Sequence, residues 1–107
     1  MSALRILYTT WPDTESARRA AHTLVGEQLV ACANLIPGME SIYRWQGEVE
    51  SATEVILLLK TVVQRVPDVI RRVTELHTYS VPCVVELTPG AVAPAYLAWA
   101  VESVPID

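Results

Sequence analysis

Apolar and polar positions along this chain repeat with two different periods, and the switches between them lay out its elements. Residues 4–10, Leu-Arg-Ile-Leu-Tyr-Thr-Thr, favour an extended strand. They stop at Trp11-Pro12-Asp13, where Pro cannot extend a ladder and Asp can cap a helix. From Thr14 to Leu29 the spacing becomes three and four. Ala17, Ala20, Ala21, Leu24 and Gln28 share one stripe, while Arg18, Arg19, His22 and Glu27 lie mostly off it. This predicts a first helix whose alanines let it lie close to a sheet.

Val30 to Ile36 is extended again, halts at Pro37-Gly38 and resumes over Ser41 to Trp45, which predicts a bent or bulged second strand. Gln46-Gly47 supplies a tight hairpin, because Gly takes positive φ without a Cβ clash. The third strand is expected over Glu48 to Thr61. At its centre both alternate sets are apolar, with Ile56 and Leu58 pointing one way and Val55, Leu57 and Leu59 the other. Pro67 fits the first turn of a second helix, with Val66, Val69, Ile70, Val73 and Leu76 on one stripe. Val81 to Thr88 is the expected fourth strand, ended by Pro89-Gly90, and Pro94 to Val104 a short closing helix carrying Tyr96 and Trp99.

The order β-α-β-β-α-β is that of an α+β, ferredoxin-like sandwich, here with a long hairpin between strands two and three and a short C-terminal helix. Both main helices cover one sheet face. Strand three is apolar on both, and the tail is too short to cover the rest. Burying each aliphatic side chain is worth about 1.5–3 kcal/mol, so self-association over the second face is expected.

Composition narrows the picture. With 107 residues the chain is expected to form one domain over 1–107, and 51% hydrophobic against 19% charged residues agrees with an associating protein. A net charge of -4, with Arg nearly the only cation, leaves no basic stripe for phosphates, so no nucleic-acid partner is expected. No run approaches the roughly 20 apolar residues of a membrane span, and the first residues lack the pattern of a signal peptide. Cys32 and Cys83 do not make a disulfide framework, so a reduced, cytoplasmic protein is expected.

Leu29-Val30-Ala31-Cys32-Ala33-Asn34-Leu35-Ile36-Pro37-Gly38, followed by Ser41-Ile42-Tyr43-Arg44-Trp45-Gln46-Gly47-Glu48-Val49-Glu50, resembles the CutA divalent-cation tolerance family. Glu54 to Thr61 is similar to that family's long third strand, His77-Thr78-Tyr79-Ser80-Val81-Pro82 to its His-Pro-Tyr signature, and Tyr96-Leu97-Ala98-Trp99 to its closing helix. Within the signature, Thr78 replaces the family's first Pro and Cys83 its Glu. The resemblance implies a trimer shaped like the PII signalling proteins and a link to copper and other divalent ions.

His77 and Cys83 are the expected metal ligands, since imidazole and thiolate suit copper or zinc. A His at a helix end equally caps it, and a lone Cys is equally a buried apolar residue. Cys32, Asn34, Trp45, Lys60 and Tyr79 are the expected ligand-binding residues. Lys60 and Glu54, six apart on strand three, lie about 20 Å from each other by strand rise, so each is expected to meet an opposite charge from a neighbouring subunit, with an anionic ligand the alternative for Lys60. Trp45 and Tyr43 serve equally as oligomer contacts. No nucleophile-base pair or multi-His site is legible, so catalysis is not expected. Two functions compete: a metal-binding homotrimer, and a PII-like regulatory or scaffold trimer that binds a small anion or a partner protein.

Overall fold

The computed structural model describes residues 3–106. The elements are β1 (Leu4–Trp11), α1 (Thr14–Gly26), β2 (Cys32–Trp45), β3 (Glu48–Val62), a 3-10 turn (Val63–Arg65), α2 (Val66–Leu76), β4 (Val84–Leu87) and α3 (Pro94–Ser103). The sheet runs β2-β3-β1-β4, with every neighbouring pair antiparallel. The fold is the α+β, ferredoxin-like sandwich that the element order implies.

On one face, Leu7, Trp11, Val55, Leu57 and Leu59 meet the alanine stripe of α1 and Val66, Val69 and Val73 of α2. The other face is covered only at one end, where Ala100 and Val104 of the α3 segment close over Leu4, Ala31 and Val62. Register sets the remaining contents of that face. Ile6, Tyr8 and Thr10 lie opposite Lys60, Leu58 and Ile56, and on the outer side Ile6 and Tyr8 lie opposite Leu87 and Val85. Ile36, Val85 and Leu87 stay 46%, 48% and 44% exposed, so the rest of this apolar face has no cover among the described residues.

Several boundaries differ from those expected of the sequence. Trp11 still pairs with Val55 and is fully buried, so β1 runs one residue further, to the edge of Pro12. Helix α1 ends at Gly26 and not at Leu29. Gln28 takes φ 61, its N–H bonds to the Val25 carbonyl at 3.0 Å, and the Leu29 N–H bonds to the Leu24 carbonyl at 3.1 Å. This left-handed cap removes Gln28 from the helical stripe. Strand two is bulged as expected, with a register shift between Ile36 and Met39 at Pro37-Gly38, but it begins at Cys32 and not at Val30. Strand four is only Val84–Leu87, because Pro82 has no N–H to give a ladder and Val81 stands 69% exposed in the loop before it.

Gln46 and Gly47, at φ 50 and 84, both take the positive values of a type I′ hairpin turn. Beyond the bulge, the β2-β3 hairpin projects as an arm, exposed on both strands from Ile42 to Ser51.

Candidate functional site

The base of this arm, the end of β1 and the loop between α2 and β4 enclose a cleft of about 580 Å³. Alternation brings its walls together. Tyr8 and Thr10 come from β1, Glu54 and Glu50 from the same face of β3, and Tyr43 sits directly opposite Glu50 on β2. Trp45, Tyr79 and Cys83 complete the part that carries chemistry. None of the lining residues is Lys, Arg or His.

His77 ends α2 one layer behind this wall. Its ring stacks on Trp11 at 4.0 Å and tilts against Tyr79 at 4.7 Å. The backbone N–H of Tyr79 donates to His77 Nδ1 at 3.1 Å, which leaves Nε2 to donate to the Thr10 carbonyl at 2.7 Å. Both ring nitrogens are thus engaged in placing the loop. Behind the imidazole, the Trp11 indole N–H donates to Thr9 Oγ1 at 2.7 Å, and the Thr9 hydroxyl donates to the Leu57 carbonyl at 2.8 Å. The core fixes Trp11, Trp11 supports His77, and His77 orients Tyr79.

The Tyr79 hydroxyl in turn donates to Glu54 Oε2 at 2.9 Å. Burial and then the Glu54 carboxylate push the Tyr79 hydroxyl up to about 12 from its ordinary value of 10.0. Since the folded value lies above the free one, this contribution to stability is intact below about pH 10 and is lost as the pH rises towards 12. Tyr79→Phe is therefore expected to flatten the decline of the urea midpoint across that window. Parallel curves for the two proteins would show that the hydroxyl carries none of the alkaline sensitivity.

The expected ligand residues fall into two groups. Trp45, Tyr79 and Cys83 line the cleft, with His77 supporting it. Cys32, Asn34 and Lys60 lie towards the other end of the open face, near α3. Cys32 Sγ is 3.3 Å from the Tyr96 hydroxyl, Lys60 Nζ is 5.5 Å from the Tyr96 ring centre, and Asn34 is exposed opposite Leu58. The Cys32 contact and burial push the Tyr96 hydroxyl up to about 12. The sequence did not single out Tyr8 or Thr10, although strict alternation from Leu7 puts both on the open face. The Trp11 stack carries no local signal, because its partner lies 66 residues away.

Among the described residues no three His, Cys, Asp or Glu converge on one point. A copper or zinc shell normally takes three or four protein donors, so the side chains of a single copy do not make one.

The comparisons agree with the architecture. The family profile described as CutA1 divalent ion tolerance protein matches residues 5–103. The divalent-cation tolerance protein CutA of Thermus thermophilus is 45% identical over 94 residues, spanning 88% of this chain and 91% of that protein. The crystal structure of CutA from Xylella fastidiosa superposes with a TM-score of 0.93 at 37% identity, covering 99% of this chain and 100% of the other. The periplasmic divalent cation tolerance protein CutA of Archaeoglobus fulgidus gives 0.92 at 31% identity, covering 95% and 99%. With sequence and fold matched over nearly its whole length, this chain belongs to the CutA divalent-cation tolerance family.

Proposed function

We propose that the chain works as a homotrimer in the response to divalent metal ions, as a binding protein without catalysis, and that copper or another divalent ion is taken up in clefts shared between copies. The observation that carries this reading is the charge of the cleft, where two carboxylates and the Cys83 thiol face the same space with no basic side chain beside them. Such a wall favours a cation over an anion. One copy supplies too few grouped donors, so a second copy has to complete the shell. The uncovered face around Ile6, Leu58, Val85 and Leu87 supports association. Two free thiols accord with a reducing, cytoplasmic setting, which is part of the proposal.

The PII-like scaffold reading has one observation in its favour. Lys60 is half-buried, lies beside Tyr96 and Cys32, and has no carboxylate partner among the described residues, so it could receive a small anion. Native mass spectrometry of metal-free protein with added Cu(I), Cu(II) or Zn(II) separates the two. The metal reading expects a trimer taking ions in multiples of three, with uptake abolished in Cys83→Ser and weakened in His77→Ala. A trimer that stays bare would move the assignment to the scaffold, and a monomer would remove the shared cleft.

A further inference from the structure

We draw no further inference here: the strongest candidate, the outward apolar side of α3 with Trp99 and Val101 exposed, is an uncovered helix face, and nothing in the structure shows what covers it.

Discussion

Replacing Leu58 with Asp is expected to reduce the proposed trimer to a single chain of 11.8 kDa, read by sedimentation or light scattering, while its circular dichroism stays native. Leu58 sits on the second sheet strand, between Tyr8 of β1 and Asn34 of β2, on the face that the helices leave open. In a lone chain an Asp there remains in contact with water at small cost. In an assembly that covers this face, each copy would bury an unpaired carboxylate, at an effective cost of several kcal/mol per ion. Three such penalties in one trimer exceed what an interface of ordinary quality can absorb. Leu57→Asp, one residue earlier, is the contrasting case. Leu57 is fully buried beneath the helices, so its replacement is expected to prevent folding altogether. A Leu58→Asp protein that remained trimeric would place the interface elsewhere and remove the physical argument from the two apolar faces of β3.

That argument was already legible in the residues, because a strand with both alternate sets apolar has no wet side and period two leaves little room for error. The Ala17, Ala20, Ala21 and Leu24 stripe was legible for the same reason, as all four pack in the core. The ends of elements were harder. Gln28 is a respectable helix residue, and only the tertiary placement of Leu29 against the core makes it adopt a left-handed cap that sequence rules reserve mainly for Gly or Asn. Pro82 marked the late start of β4, but the apolar Val81 masked it.

The site was legible in part. Cys83, Tyr79 and Trp45 were chosen from their setting in the chain and do line one cleft, whereas Cys32, Asn34 and Lys60 gather near α3. A sequence offers no measure of that separation. The Thr10 carbonyl that accepts from His77 is a backbone group, so no residue type announces it.

The stack beneath His77 gives the second large effect. Trp11→Ala is expected to destabilise the protein by about 3–5 kcal/mol, measured by urea unfolding at fixed chain concentration, because it empties the space of a fully buried indole. Trp11→Phe keeps an aromatic surface and loses the N–H that donates to Thr9, so it is expected to cost less, about 1 kcal/mol from the hydrogen bond plus the smaller ring. The informative quantity is the coupling to His77. A double-mutant cycle of Trp11→Ala with His77→Ala is expected to return about 0.5–1.5 kcal/mol for the stacked pair. A coupling of that size means that the core holds the imidazole in place, and through the Tyr79 amide it also sets where the Tyr79 hydroxyl meets Glu54. Zero coupling would mean that the Thr10 carbonyl and the Tyr79 amide hold His77 unaided, and that the cleft wall is positioned by β1 and the loop without help from the core.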